Sequence, residues 1–184
     1  MVPAAGRSSR FGSMKLLADV GGVLLIDRTV GSLLDAGVQR VFVVCTAVDA
    51  LAGASCLRDA RVRIVVNALP ERGMFSSIQA GLEGAGLAEL LVLPADMPFV
   101  RSGTIRAVAD YARATGAVVV PGFGGRRGHP IAIPSRLRAD LLACSPETSL
   151  KEALRQLGAA PCILAVDDPG VLRDVDVPSD LGQW

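Results

Sequence analysis

The spacing of apolar residues along the chain changes repeatedly between a helical and an extended pattern. Between 23 and 34 the apolar positions recur at helical intervals, and Gly37 follows as a natural stop. The run from 41 to 45 is short, β-branched and free of polar alternation, as expected for a strand buried on both faces. Further helices are predicted at 49–57, 76–82, 102–112 (with Ser102 as N-cap), 135–143 and 149–157. Further strands are predicted at 62–66, 90–93, 118–120, 131–133, 162–166 and 172–175.

This succession of strands and helices predicts the fold class. Alternation through the first two-thirds of the chain favours an α/β fold of three layers, a mostly parallel twisted sheet with helices on both faces. Within it, 118–133 is predicted to form a small antiparallel hairpin around the glycine-rich turn 122–128. The 184 residues contain no linker, low-complexity tract or internal repeat, so we expect one domain over 1–184.

Composition narrows the classes of function. The formal net charge is +1 and no block of like charges occurs, so neither nucleic acid nor a membrane surface is an expected partner. Signal-peptide features are absent and the apolar runs are too short to span a bilayer, so we expect a cytoplasmic protein. The four cysteines form no C-x-x-C motif and His129 is the only histidine. Buried reduced thiols are therefore expected rather than a zinc site.

The loop over 4–15 is the first candidate site, because ligands bind at the carboxyl ends of strands in such sheets. Its small residues let backbone N–H groups approach an anion, while Arg10 and Lys15 add positive charge. These features suit a triphosphate. The loop is not a Walker A motif, because Lys15 lacks the Gly-Lys-Ser/Thr context. A flexible basic segment is the alternative.

Two aspartates follow later strands. Asp96 lies just past the strand at 90–93 and is placed to hold Mg²⁺ against phosphate oxygens, since Mg²⁺ prefers oxygen ligands. Asp176, within 174–178, is a candidate second carboxylate for the same ion. The alternative for Asp96 is a turn or capping role beside proline, and for Asp176 the start of a last short helix.

The glycine-rich run 122–130 resembles a dinucleotide fingerprint only superficially. Position 127 is arginine, and a strand-like segment follows where a helix is required, so a Rossmann oxidoreductase is excluded. A hairpin that carries Arg126, Arg127 and His129 toward an anionic substrate fits better. The alternative is an ordinary surface hairpin.

The order of these segments resembles that of the MobA-like nucleotidyltransferases over nearly the whole chain. The matching segments are 3–12 with Lys15, Asn67 with 73–81, 94–98, 125–130 and 174–180. Within that family, the segments around 73–77 and 125–130 most resemble molybdenum cofactor cytidylyltransferases of the MocA type. Ala5 stands where the guanylyltransferase branch usually has a second glycine, and by resemblance this points to CTP.

The resemblance implies Mg²⁺-dependent transfer of CMP from CTP to the terminal phosphate of molybdopterin, with a molybdenum hydroxylase as a client protein. It implies catalytic roles for Arg10, Lys15 and Asp96, and metal ligation by Asp96 and Asp176. The implied nucleotide-binding residues are Pro3, Ala4, Ala5, Gly6, Arg7, Lys15, Asn67, Ser76 and Ser77. The residues implied to face the pterin acceptor are Arg126, Arg127 and His129.

The start of the chain departs from the family pattern. The family loop normally follows a strand of about five apolar residues, a usual strand length. Here only Met1 and Val2 precede Pro3, so we expect either a natural start several residues upstream or a short first strand. Two other functions stay open. One is a related transferase with a sugar phosphate or phospho-acid acceptor, and the other is a non-catalytic nucleotide-binding maturation partner.

Overall fold

The structure, a computed structural model, describes residues 1–5, 15–86, 89–176 and 180. Its strands are β1 (Val2–Pro3), β2 (Val41–Cys45), β3 (Val62–Val66), β4 (Leu90–Val92), β5 (Val119–Phe123), β6 (Arg126–Arg127), β7 (Ile131–Ile133) and β8 (Cys162–Ala165). Its α-helices are α1 (Leu25–Asp35), α2 (Met74–Ala85), α3 (Ser102–Thr115), α4 (Arg138–Ala143) and α5 (Leu150–Gln156). Short 3₁₀ turns occupy Lys15–Leu17, Val48–Leu51, Ser55–Arg58, Pro70–Arg72, Ser135–Leu137 and Pro169–Leu172.

The strands lie side by side in the order β3, β2, β1, β4, β7, β5, β8, with the short β6 pairing with β5 at its far end. The connection between β1 and β4 consists of backbone hydrogen bonds from Leu93 N–H to the Met1 carbonyl (3.0 Å) and from Ala95 N–H to the Pro3 carbonyl (3.2 Å). Only β6 and β7 run against the other described strands. The predicted α/β fold, with a mostly parallel sheet and a hairpin at 118–133, is confirmed.

Side chains on successive strand positions face two different cores. In β2, Val43 packs with the apolar faces of α1 and α3, whereas Val44 packs with α2, α4 and α5. Both residues are fully buried, which explains why the run has no polar alternation. Among the described residues, no helix combines the length and the apolar character needed to cross a membrane.

Two predicted elements were wrong. The segment 49–57 is not an α-helix but two separate 3₁₀ turns, because Gly53 between them has a φ of 106°, which no helix contains. The segment 172–175 is not a strand. Its neighbour Val171 accepts a hydrogen bond from the backbone N–H of His129, and Val175 donates one to the Asp96 carbonyl, so its partners are scattered rather than ladder-like.

The N-terminus of α3 is held by a distant carboxylate rather than by a local cap. The prediction that Ser102 is the N-cap was wrong. Ser102 is the first helical residue, and the N-cap is Arg101. Asp168 accepts hydrogen bonds from Arg101 N–H (3.0 Å), Thr104 Oγ1 (2.7 Å) and Gly170 N–H (3.0 Å). This side chain is only 2% exposed, so α3 and the 3₁₀ turn Pro169–Leu172 are tied together inside the protein.

The first strand is short but central. Val2 pairs with Val43 of β2 in parallel register. The Met1 ammonium is buried and donates a hydrogen bond to the Leu91 carbonyl (2.6 Å), and burial lowers the pKa of this amino group to about 5. Two residues of β1 thus join β2 to β4. Of the four cysteines predicted to be buried, Cys45 and Cys56 are buried and Cys144 is half-buried. Cys162 is exposed on β8, which pairs with β5 alone among the described strands.

Candidate active site

The loops after the parallel strands meet at one edge of the sheet, because the carboxyl ends of parallel strands point the same way. Ala4 and Ala5 follow β1, Asn67 follows β3 and Asp96 follows the extended end of β4. The turn between β5 and β6 and the segment after β8 reach the same edge. The topology thus places Ala4, Ala5, Asn67 and Asp96 along the same edge as the turn between β5 and β6, with β1 two strand spacings (about 10 Å) from β3.

Lys15 joins the two candidate metal ligands. Its Nζ donates hydrogen bonds to Asp96 Oδ2 at 2.9 Å and to Asp176 Oδ1 at 3.0 Å. Burial acts to lower the pKa of Lys15, but the hydrogen bonds and charges of the two carboxylates outweigh it and raise the pKa above its usual value. Lys15 is therefore an ammonium ion throughout the physiological pH range.

The backbone explains why residues so far apart in sequence converge. Ala95 N–H bonds to the Pro3 carbonyl, which sets the loop after β4 beside the loop after β1. Val175 N–H donates to the Asp96 carbonyl (2.9 Å), which brings the next residue, Asp176, alongside Asp96. From the other side, the Thr29 hydroxyl on α1 donates to the Ala95 carbonyl (2.9 Å). Hydrogen bonds to main-chain groups therefore fix the positions of both carboxylates.

The two carboxylates fit a divalent cation. Both reach a single ammonium within 3.0 Å, so their oxygens already converge on one cation position. The described residues contain no group of three histidine, cysteine or acidic side chains that could enclose a metal ion. Mg²⁺ is typically held by one or two carboxylates together with substrate phosphates and water. The side chains of Asp96 and Asp176 are 30% and 54% exposed, so both carboxylates are accessible to phosphate and water from the solvent side.

The structure describes only part of the predicted nucleotide loop. Gly6, Arg7 and Arg10 lie outside the described residues. Ala4 donates its N–H to the Val44 carbonyl (2.7 Å), so the chain stays in the sheet for one residue beyond β1. Ala5 is 8% exposed, which leaves little space around its methyl group.

Asn67, Ser76 and Ser77 form a buried hydrogen-bonded cluster. Asn67 Nδ2 donates to Ser76 Oγ (2.9 Å) and to Ser77 Oγ (3.0 Å), and Asn67 Oδ1 accepts from Leu69 N–H (3.0 Å). Ser76 Oγ in turn donates to the Gly73 carbonyl (2.8 Å). In this arrangement the cluster fixes the start of α2 against the end of β3. Direct contact of these side chains with a nucleoside stays a prediction.

The hairpin presents its arginines to solvent. The side chains of Arg126 and Arg127 on β6 are exposed, and β6 lies beside the 3₁₀ turn Pro169–Leu172. Gly128 makes this close approach possible, because a Cβ at that position would lie 2.3 Å from the Val171 carbonyl oxygen. The hairpin therefore packs against the segment that leads to Asp176.

His129 is turned inward. Its backbone N–H bonds to the Val171 carbonyl (2.9 Å), and its Nδ1 is buried without a hydrogen-bond partner among the described residues. Burial lowers the pKa of His129, although the charges of Asp96 and Asp174 oppose this effect. The ring is therefore neutral at neutral pH and contributes no positive charge toward an anion.

Two residues that organise this edge were not singled out from the sequence. Thr29 breaks the apolar stripe of α1 yet is fully buried, and a polar residue inside such a stripe was the available signal. Asp168 belongs to an Asp-Asp-Pro-Gly run that is typical of an exposed turn. The sequence did not distinguish it from its exposed neighbour Asp167, because two of its three hydrogen-bond donors, Arg101 N–H and Thr104 Oγ1, lie far away in the chain at the start of α3.

Solved structures with the same fold include nucleotidyl transferases. The protein is similar to a nucleotidyl transferase from Methanothermobacter thermautotroptrophicus, with a TM-score of 0.78 and 25% identity, covering 97% of this chain and 91% of that one. It also has the fold of a Mycobacterium tuberculosis H37Rv protein solved in complex with manganese, with a TM-score of 0.76 and 22% identity, covering 99% and 94% of the two chains. The protein is a nucleotidyltransferase.

Sequence comparison defines the family. A model of the MobA-like NTP transferase domain matches residues 1–161, and the chain belongs to this family, as the motifs predicted. A probable molybdenum cofactor guanylyltransferase of Haloferax mediterranei is 30% identical over 167 residues, covering 86% of this chain and 77% of the relative. A phosphoenolpyruvate guanylyltransferase of Rubrobacter xylanophilus is 27% identical over 190 residues, covering 97% and 87%.

Proposed function

We propose that the protein transfers CMP from CTP to the terminal phosphate of molybdopterin, forms the cytosine dinucleotide cofactor and releases pyrophosphate. The observation that carries this proposal is the convergence of Asp96 and Asp176 on one cation position, at the sheet edge that also bears the loop after β1. Family membership supports nucleotidyl transfer, and one relative is named for the molybdenum cofactor.

The reaction requires the protein to bring two anions together. An oxygen of the acceptor phosphate attacks the α-phosphorus of CTP in line, the bond from the α-phosphorus to the bridging oxygen breaks, and pyrophosphate leaves with the electron pair. Because the nucleophile is already anionic, no strong general base is needed. The protein instead positions both substrates and stabilises the charge that builds on the leaving group.

Each part of the edge has a task in this scheme. Asp96 and Asp176 would hold Mg²⁺, which neutralises phosphate charge when bound. Lys15 is a permanent ammonium beside them and is available to the phosphates. Because His129 is neutral and turned inward, positive charge for the acceptor phosphate falls to the exposed Arg126 and Arg127.

The proposal of CTP as the nucleotide rests on a single residue, Ala5, whereas the proposal of nucleotidyl transfer rests on the whole family match. Ala5, buried just after β1, supports CTP through its resemblance to the cytidylyltransferase branch. Two relatives named as guanylyltransferases favour GTP as the second candidate. The relative named for phosphoenolpyruvate likewise favours a phospho-acid as the second candidate acceptor.

Pyrophosphate release separates these candidates. The purified protein is incubated with Mg²⁺, each of the four nucleoside triphosphates, and either molybdopterin or phosphoenolpyruvate. Release that requires both CTP and the pterin supports the proposal. Release with GTP instead reassigns the nucleotide, and release that requires phosphoenolpyruvate reassigns the acceptor. Absence of release in every combination contradicts the proposed function.

Replacing Asp96 tests the metal position. Asp96→Asn keeps the shape of the side chain but removes its charge, and we expect turnover to fall by about two orders of magnitude or more, the scale associated with loss of one preorganised charge partner. Asp140→Asn, on the exposed face of α4, is the matched control and should keep full turnover. Turnover close to wild type in Asp96→Asn would rule out this metal position.

A further inference from the structure

The place between the two carboxylates is held by a side chain of the protein itself. Lys15 Nζ lies 2.9 Å from Asp96 Oδ2 and 3.0 Å from Asp176 Oδ1, and the Lys15 side chain is only 11% exposed. A lysine that is merely part of a surface ion pair is mostly solvated, whereas this one is covered and bonded on two sides. Its ammonium therefore stands where a divalent ion would have to bind.

The ammonium and a divalent ion cannot share this position. Mg²⁺ approaches carboxylate oxygens to about 2.1 Å, so an ion bound by both aspartates would meet the Lys15 ammonium at close range. Two positive charges this near repel strongly, and the lysine would have to leave. Once displaced, a poorly solvated ammonium needs another anion, and a triphosphate at the same edge supplies one.

We propose that Lys15 is the resident counter-ion of the Asp96 and Asp176 pair, and that it moves onto the nucleotide phosphates when the divalent ion enters. The metal ion and the triphosphate then bind as a coupled unit, each favouring the other by the same factor. In the absence of nucleotide, Lys15 holds the site closed to divalent metal. This inference rests on the proposed function only in requiring a triphosphate substrate.

The sequence offers a matched control for the lysine. The chain has only two lysines, Lys15 and Lys151, and the second is exposed in the first turn of α5. Lys15→Met and Lys151→Met each replace an ammonium with an unbranched neutral side chain. Differences between the two variants therefore report the position of the charge and not its general loss.

Metal affinity without nucleotide is the primary test. Free Mn²⁺ is measured by electron paramagnetic resonance while the wild type and both variants are titrated. We expect Lys15→Met to bind Mn²⁺ at least tenfold more tightly than the wild type, and Lys151→Met to match the wild type. A non-hydrolysable CTP analogue should strengthen Mn²⁺ binding to the wild type by a larger factor than to Lys15→Met. If Lys15→Met binds Mn²⁺ no more tightly than the wild type, Lys15 is not a competing cation.

A second measurement uses only the wild-type protein and does not depend on the folding of a variant. The rates of acetylation of the two lysines are followed by mass spectrometry. Mn²⁺ alone should raise the rate at Lys15 several-fold by freeing its amine, and addition of the CTP analogue should lower that rate again. Lys151 should not respond. Saturation with Mn²⁺ without any change at Lys15 would overturn the proposal.

Failure of this inference can be told apart from failure of the proposed function. The Mn²⁺ titrations without nucleotide involve neither an acceptor nor group transfer. Tighter metal binding by Lys15→Met, together with no pyrophosphate release in any combination, would contradict the proposed function and support the counter-ion role of Lys15. Pterin-dependent release of pyrophosphate with CTP, together with unchanged metal affinity in Lys15→Met, would support the proposed function and contradict the counter-ion role of Lys15.

Discussion

Asp168 gives the sharpest test of how the fold supports the candidate site. It links the N-terminus of α3 to the segment that carries Asp176, through hydrogen bonds to Arg101 N–H, Thr104 Oγ1 and Gly170 N–H. Substitution with asparagine keeps the volume but leaves one acceptor oxygen in place of two. Whichever way the amide is oriented, at least one of the three bonds is lost, and a buried N–H group then faces another donor.

The size of the effect follows from these contacts. Hydrogen bonds to a charged group contribute about 1.5–3 kcal/mol each, so Asp168→Asn should lower the free energy of unfolding by about 2–3 kcal/mol. For a chain of this length, that corresponds to a fall of about 4–12 °C in Tm. Urea denaturation followed by circular dichroism measures the free energy, and a thermal melt gives the second value.

The neighbouring aspartate provides the control. The side chain of Asp167 is exposed and, among the described residues, Arg101 bonds only to its backbone carbonyl, so Asp167→Asn should change stability by no more than about 0.5 kcal/mol. Because the tether positions the segment before Asp176, Asp168→Asn should also weaken Mn²⁺ binding. An Asp168→Asn protein as stable as the wild type would show that the three bonds do not hold the segment.

Two further predictions concern stability. Gly128→Ala forces a methyl group against a backbone carbonyl and should cost about 1–3 kcal/mol, whereas Gly31→Ala, in open space on α1, should stabilise by up to about 1 kcal/mol. Equal stability of the two variants in urea would contradict the close packing of Gly128 against Val171. The second prediction concerns pH. In the polypeptide that begins at Met1, burial lowers the pKa of the amino group from 8.0 to about 5, so the unfolded chain binds more protons between these two pH values. Stability should therefore rise with pH across this window, by up to about 4 kcal/mol, and a flat profile would refute this.

The fold was predictable where burial alone decides the structure. The run Val41–Cys45 is a strand with the predicted bounds, because Val41, Val43 and Cys45 pack in one core and Val44 packs in the other. Prediction failed where the partner lies far away in the chain. Ser102 has the residue type of an N-cap, yet the α3 N-terminus is satisfied by Asp168, and no local pattern shows a contact across so many residues. The strand predicted at 172–175 is absent because the backbone groups of Val175 and of the preceding Val171 bond to different segments, Asp96 and His129.

The candidate site was predictable in its residue types and less so in its contacts. Motif resemblance selected Lys15, Asp96 and Asp176, and the topology brings them to one edge. The resemblance assigned Lys15 to phosphates, whereas in the structure its hydrogen bonds go to the two carboxylates. For His129 too, the sequence indicated the residue but not its contacts. Its place in a polar loop suggested contact with a substrate, whereas the structure buries the ring, and the depth of a side chain is a tertiary property.

The convergence of Lys15, Asp96 and Asp176 also has a consequence for synthesis of the chain. No nascent chain shorter than 176 residues contains both carboxylates, although Lys15 and Asp96 are already present. At about 5–20 residues per second, the ribosome needs about 4–16 seconds to add the 80 residues from 97 to 176. During that interval a sheet edge can form with one aspartate paired to the lysine and with no second ligand for a metal ion. If Asp96 and Asp176 hold Mg²⁺ as proposed, the position between the two carboxylates is therefore complete only after Asp176 has been added and has reached Asp96.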